Sequence, residues 1–187
     1  MNTRIAMLTL LTAGTLAPGA SASPGSAPVE HFSAKAGVMT SSARFTLRTV
    51  DIVVTRWSTD VEHRMLERAL IEKGWVEFLD QLCNFAPAGS IVTIDGRDIA
   101  IRYAWQVADR DGQRRVFVAT DEPITLTNPV RRSALAVSFT FLELRIGPDG
   151  EGEGKLSEAA RLSVDESQDV IELRDYATRP LHLVRVR

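Results

Sequence analysis

The chain has very little cysteine: Cys83 is the only one among its 187 residues. An intramolecular disulfide is therefore impossible, which excludes the disulfide frameworks of small secreted domains. The lone thiol has two interpretations. It is either a small buried hydrophobe on a helix, which we favour, or a reactive group that pairs with another molecule.

An excess of one charge sign is also missing, since 22 Lys and Arg residues face 24 Asp and Glu residues. Nucleic-acid binding usually requires a strongly basic surface, and the arginine pairs at 114–115 and 131–132 are too small to supply one. Hydrophobic residues make up 44% of the chain and charged residues 25%, as in ordinary globular domains. We therefore expect a packed core and no nucleic-acid partner.

Long apolar runs are absent beyond the N-terminus, so no membrane insertion of the mature chain is expected. The apolar run Ile5–Ala17 follows Arg4 and is too short to span a bilayer. Small residues then stand at Ala20-Ser21-Ala22, where a signal peptidase would read them. Residues 1–22 are predicted to be a bacterial signal peptide, which places the protein in the periplasm or outside the cell; the alternative is a buried N-terminal helix.

Residues 23–43 are rich in Ser, Ala, Gly and Pro and show no sustained period of either 2 or 3.6. They are predicted to be a flexible spacer. Residues typical of a β-strand begin at Arg44. Within this strand, the alternation of apolar positions changes phase between Leu47 and Val50. That change predicts either a bulge or a strand buried on both faces.

Two amphipathic helices are predicted between Thr59 and Pro87. Thr59 and Glu62 match a capping box at the start of the first helix. The predicted buried stripe of the first helix is Val61, Met65, Leu66, Ala69 and Leu70. That of the second helix is Trp75, Phe78, Leu79 and Leu82. Such spacing is typical of helices that cover one face of a sheet.

Beyond Gly89 the chain has the pattern of successive strands joined by short turns, which pair antiparallel. The predicted apolar face of the longest alternating segment is Ile99, Ile101, Tyr103, Trp105 and Val107. The fold class expected is α+β: a helical hairpin packed on one face of a curved, mainly antiparallel sheet of six to eight strands. Residues 44–187 would form this single domain.

Motifs for catalysis, metal binding or phosphate binding are scarce. In the loop 149–154, Asp149, Glu151 and Glu153 fit the first calcium-ligating positions of an EF-hand loop, but Ala160 stands where a bidentate Glu is required. We therefore predict a glycine-rich turn, with a calcium-dependent module as the weaker alternative. No histidine lies at metal-ligand spacing, so no metal and no cofactor are predicted.

Five residues near predicted chain bends or strand faces are candidates for a shared polar site: Arg56, Trp57, Asp121, Glu143 and Tyr176. Glu143 interrupts the apolar strand 139–142. Alternation predicts that it faces solvent. An inward position beside a partner such as Arg56 would instead make it a perturbed group and mark a functional site.

Several short motifs resemble those of an uncharacterised family of small exported bacterial proteins, of the acidobacterial type. They are Arg56-Trp57-Ser58-Thr59 with Glu62, Tyr103-Ala104, Arg114-Arg115, Thr120-Asp121, Pro123-Ile124, Phe139-Thr140, Glu143-Leu144, Gly152–Leu156 and Tyr176-Ala177 before Pro180. The resemblance covers about 130 residues. It implies one exported domain; no activity is established for the family.

We expect an exported, soluble module that binds an unknown protein or small ligand in the cell envelope. The alternative is an envelope enzyme whose site combines loop carboxylates with Arg56. A pocket that holds Glu143 or Asp121 together with Arg56 and Tyr176 would favour the enzyme. A closed core with only an exposed patch would favour the module.

The signal-peptide prediction is tested by cell fractionation with intact-mass measurement. The chain should leave the cytosol and lack residues 1–22, because the apolar run and the small residues after it recruit export and cleavage. A chain kept in the cytosol with residues 1–22 attached would contradict the prediction.

Overall fold

The computed structural model describes residues 30–39, 45–93, 96–108, 112–124, 126, 139–165, 170–174 and 181–187. Its strands are β1 (Glu30–Met39), β2 (Phe45–Val54), β3 (Gly89–Thr93), β4 (Asp98–Ala108), β5 (Arg114–Thr120), β6 (Phe139–Ile146), β7 (Gly152–Asp165), β8 (Val170–Arg174) and β9 (Leu181–Val186). The helices are α1 (Asp60–Arg68) and α2 (Trp75–Asn84), joined by a π-helical turn at Ala69–Lys73.

Eight of the strands close into an antiparallel barrel. The order around it is β6-β5-β4-β3-β2-β1-β9-β7, and β7 pairs again with β6. The ninth strand, β8, pairs with the far end of β7, which extends past its barrel neighbours. Eight strands give an interior just wide enough for side chains to fill, and Ile52, Ile101, Leu142 and Leu156 are fully buried there.

The predicted fold class was therefore wrong. The sheet is not an open, curved one of six to eight strands roofed by a helical hairpin; it is a closed barrel with two short helices. The missing strand was β1, which lies within residues 23–43, the segment predicted to be a spacer. Its inward positions include Ala34 and Ala36, so a strand with small interior side chains has the composition of a linker.

Strand β2 shows why the apolar phase changes near residue 49. Its pairing with β1 is continuous from Val54 to Phe45, without a bulge. Val50 and Val54 point into the barrel, whereas Phe45 and Leu47 are exposed on the outside. An ideal Cβ at Gly37 would lie 2.8 Å from the Phe45 ring, so that ring covers the glycine. Both predicted explanations, a bulge and burial on both faces, were wrong.

A bulge instead occurs in β4, where Ile101 pairs with Thr120 but Tyr103 pairs with Ala119. The extra residue, Arg102, reverses the direction of every side chain after it. Ala104 therefore points into the barrel, and Tyr103 turns outward. The single alternating face predicted for residues 99–107 is thus divided between the inside and the outside.

The outward side chains of β4 to β6 form a second core beneath the helices. Its buried members are Leu66, Leu70, Phe78, Leu82, Phe85, Tyr103, Ala119 and Phe139. The stripe predicted for α2 is confirmed by Phe78 and Leu82, with Trp75 partly buried. The stripe predicted for α1 was wrong in part, because Val61 and Met65 are exposed. The capping box of Thr59 and Glu62 is confirmed.

Substitution of Ala36 tests whether β1 is part of the barrel. Ala36→Leu should lower the free energy of unfolding by about 1–3 kcal/mol, because the fully buried position has no room for three more carbon atoms. Ser33→Leu, on the outward face of the same strand, is the control and should change it by less than about 0.5 kcal/mol. Denaturant unfolding measures both; equal stability of the two variants would contradict the assignment of β1.

Candidate functional site

Arg56 lies two residues after the end of β2, and its guanidinium bonds to three other residues of the chain. Its two terminal nitrogens each lie 3.0 Å from a Glu62 carboxylate oxygen, a bidentate ion pair. The same guanidinium donates to the carbonyl oxygens of Ala86 and Pro87 in the loop after α2. Partial burial raises the pKa of Glu62, but the bonds from Arg56 and from the Thr59 N–H outweigh it and hold that pKa below its usual value.

Asp121 has a separate arginine partner. Nε of Arg102 lies 2.7 Å from the Asp121 carboxylate, and Nη1 of the same residue donates to the Phe85 carbonyl at 3.1 Å. Arg102 and Arg56 thus anchor neighbouring carbonyls of residues 85–87. Both ion pairs fix the connection between α2 and the barrel, which is a structural task.

Of the five predicted site residues, the four that the structure describes are not brought together as one site. Trp57 packs against the barrel core, while Arg56 and Asp121 are committed to the ion pairs above. Glu143 is paired with Arg145, with 3.3 Å between Oε1 and Nε, rather than with Arg56. Tyr176 lies outside the described residues.

Glu143 occupies neither of the two positions considered in the sequence analysis, which were exposure to solvent and an inward position beside Arg56. It points to the outside of the barrel, as alternation requires, but only 5% of its surface is exposed. The residue opposite it on β7 is Lys155, and that opposite it on β5 is Phe117. A carboxylate this enclosed on an outer sheet face is uncommon, because charged groups are rarely buried unless paired.

Glu143 lines a groove of about 220 Å³ on the outside of the barrel, over β6, β7 and β9. The remaining lining residues are Arg145, Glu153, Gly154, Lys155, His182, Leu183 and Val184. Charges of opposite sign face each other across the strand pair: Glu143 opposite Lys155, and Arg145 opposite Glu153. The groove therefore presents charges of both signs beside the apolar side chains of Leu183 and Val184.

Sequence reasoning missed the cationic side of this groove. Arg145, Lys155 and His182 were not candidates, because nothing in the sequence states which strands lie side by side. The turn at 147–151 could have identified Arg145, because a hairpin between β6 and β7 places Arg145 opposite Glu153. His182 enters through β9, opposite Lys155, by a pairing between strands that are not consecutive in the chain.

A second polar cluster lies between α1 and the outside of β4. Nδ1 of His63 is 2.7 Å from the Tyr103 hydroxyl, and the imidazole stacks on Trp105 with 4.6 Å between ring centroids. Burial raises the pKa of the Tyr103 phenol, and the nearby Glu67 and Glu62 carboxylates raise it further. The histidine thus fastens the helix to the barrel.

Residues 147–151 form a turn stabilised by their own groups, and Gly152–Gly154 already belong to β7. The Asp149 carboxylate accepts a hydrogen bond from the Glu151 N–H at 3.1 Å, and Gly150 has a φ of 81°. In the ranges that the structure covers, no three His, Cys, Asp or Glu side chains converge as metal ligands. The glycine-rich turn is confirmed, and the calcium alternative gains no support from the geometry.

Cys83 is exposed near the end of α2, so the favoured prediction of a buried hydrophobe was wrong. Partial desolvation raises the pKa of its thiol, and the Asp121 carboxylate adds to that effect. Little reactive thiolate is therefore present at neutral pH.

Comparison with protein-family models, with curated proteins and with solved structures finds no match. Within the described part of the chain, none of the helices has the length and apolar character needed to cross a bilayer.

Removal of the Arg56 side-chain charge should reveal its structural role. We expect Arg56→Met to lower the free energy of unfolding by about 2 kcal/mol, because charge-assisted hydrogen bonds to Glu62 and to the loop are lost. Arg68→Met is the matched control: Arg68 is mostly exposed and faces Glu72 at 3.7 Å, so it should cost less than about 0.5 kcal/mol.

The same pair of variants predicts a pH dependence. Glu62 has a folded-state pKa below its unfolded value, so its ion pair stabilises the protein above the unfolded pKa and is lost as the pH falls through the folded one. The stability gap between wild type and Arg56→Met should therefore narrow on acidification. Urea unfolding at several pH values measures the gap; a gap that stays constant down to the acid limit would contradict the assigned pairing.

Proposed function

We propose that this protein is an extracytoplasmic binding module that recognises its ligand or partner on the outer surface of the barrel. The observation that carries the proposal is the filled interior: inward side chains such as Ile52, Ile101 and Leu142 are fully buried against one another. Barrels that hold a ligand inside need an open lumen. The groove over β6, β7 and β9 is a concave polar surface that lies outside this core.

The contacts of the charged residues favour binding over catalysis. The enzyme hypothesis required Glu143 or Asp121 to share a pocket with Arg56. Both Arg56 and Asp121 are instead paired with residues that secure the α2 connection. Of the two acids that line the groove, Glu143 lies beside Arg145 and Glu153 stands opposite it, and this arrangement supplies charge for recognition.

The extracytoplasmic location rests on the sequence of residues 1–22. A short apolar run that ends in Ala20-Ser21-Ala22 supports export. The partner class that fits is a protein or a small ligand of the envelope, because neither charge nor motif suggests nucleic acid.

Site-specific photo-crosslinking in the producing cells tests the groove as the binding surface. A photoreactive residue in place of Val184, which lines the groove and is 42% exposed, should give a covalent adduct of discrete mass. The matched control replaces Val76 on α2, which is 72% exposed and lies away from the groove. Intact-mass measurement identifies the adduct as a protein or a small molecule; equal labelling at both positions, or none at either, would refute the proposal.

A further inference from the structure

The charges on the outside of β6 and β7 balance within a square of four residues. Glu143 stands opposite Lys155, and Arg145 stands opposite Glu153. Each acid also has a base two residues away on its own strand, at the spacing that keeps both on one face. The charges of these two acids and two bases therefore sum to zero within the group of four residues.

Arg115 is an additional cation at the edge of this square. It is the residue directly opposite Arg145 in the register of β5 and β6. Both side chains belong to the outer face, since Val116 and Leu144 beside them point into the barrel. Residues so paired have Cβ atoms about 4.5–5.5 Å apart, and like charges in that position destabilise a sheet.

The Arg115 side chain packs on a neighbouring aromatic ring, and one of its hydrogen-bond donors has no acceptor. Its guanidinium lies over the Phe117 ring, 5.7 Å from the centroid, which fixes its direction. Its Nε is buried and has no hydrogen-bond acceptor among the described residues. A buried donor without an acceptor is costly and uncommon in folded proteins.

We propose that Arg115 and Arg145 together bind a small oxyanion, a carboxylate or a phosphate, beside the groove, where Arg145 lines it and Arg115 stands opposite on the next strand. One anion would relieve the repulsion between the two guanidinium groups, because each presents a planar fork that matches two oxygen atoms. The inference rests on the proposed function, of which it names the ligand chemistry.

The neighbouring acids limit the size of the anion. Glu143 lies 3.3 Å from Arg145 Nε and is almost fully buried, so a large polyanion on the groove would be repelled by it and by Glu153. Lys155 and His182 line the same groove on the side away from Arg115 and favour a single negative group over a neutral one. A ligand with one terminal carboxyl or phosphoryl group fits this pattern.

The test uses the purified full chain in a chloride buffer, with inorganic phosphate and acetate as separate probes at constant ionic strength. Calorimetry measures whether phosphate or acetate binds to the wild type. An anion that binds should also raise the melting temperature measured by thermal unfolding. Arg115→Gln should weaken that binding at least tenfold, and Arg115→Lys should weaken it less, because charge is kept but the fork is lost. Arg64→Gln removes one exposed cation from α1 and should bind as the wild type does.

The melting temperature without phosphate or acetate separates a binding role from a structural one. Arg115→Gln should then be as stable as the wild type or more so, because a like-charge pair and an unsatisfied donor are removed. A clear loss of stability in that buffer would overturn the proposal, since the stack on Phe117 would be the reason for the arginine. Anion responses that are equal in Arg115→Gln and wild type would overturn it as well.

Failure of this proposal can be distinguished from failure of the proposed function in the crosslinking experiment. Anion binding that depends on Arg115, without an adduct at position 184, would refute the binding-module proposal and leave the anion site standing. An adduct at position 184 together with an anion response that does not depend on Arg115 would support the binding-module proposal and refute the anion site. If phosphate binds more tightly than acetate, the natural ligand carries a phosphoryl group; the opposite order indicates a carboxylate.

Discussion

The bulge at Arg102 is the constraint on which the two cores of this protein depend. Before it, Ile99 and Ile101 point into the barrel; after it, Ala104 does so, and Tyr103 points out. Without the reversal, the bulky tyrosine would compete for space inside an eight-stranded barrel that is already full. With it, the same strand supplies one wall of the barrel core and the platform on which both helices rest.

The residue released by the bulge anchors the neighbouring loop. Arg102, left unopposed in the β4–β5 ladder, reaches Asp121 and the Phe85 carbonyl. Arg56 holds the next two carbonyls from the other side and is itself fixed by Glu62 at the start of α1. Charged residues that suggest a catalytic cluster in the sequence are therefore used to attach a helical layer to a barrel.

Features set by neighbouring residues in the chain could be predicted from the sequence, whereas the closure of the sheet into a barrel could not. The capping box at Thr59 and the stripe of α2 follow from short-range patterns, and both are confirmed. Strand β1 was missed because Ala34 and Ala36 carry almost no hydrophobic signal, although no larger side chain would fit there. The cationic half of the groove was missed because Lys155 and His182 are neighbours only across β7 and β9, which are not consecutive strands in the sequence.

The pairing of β1 with β9 joins strands from opposite ends of the described chain. Ser33 and Arg187 exchange two backbone hydrogen bonds across this seam, at 2.9 and 3.2 Å. Contacts of such sequence separation form slowly, because a long loop must be closed before they contribute. A ribosome makes β9 after all the other strands of the barrel, so the emerging polypeptide keeps two unpaired strand edges until β9 is added, and in that interval it is most exposed to aggregation.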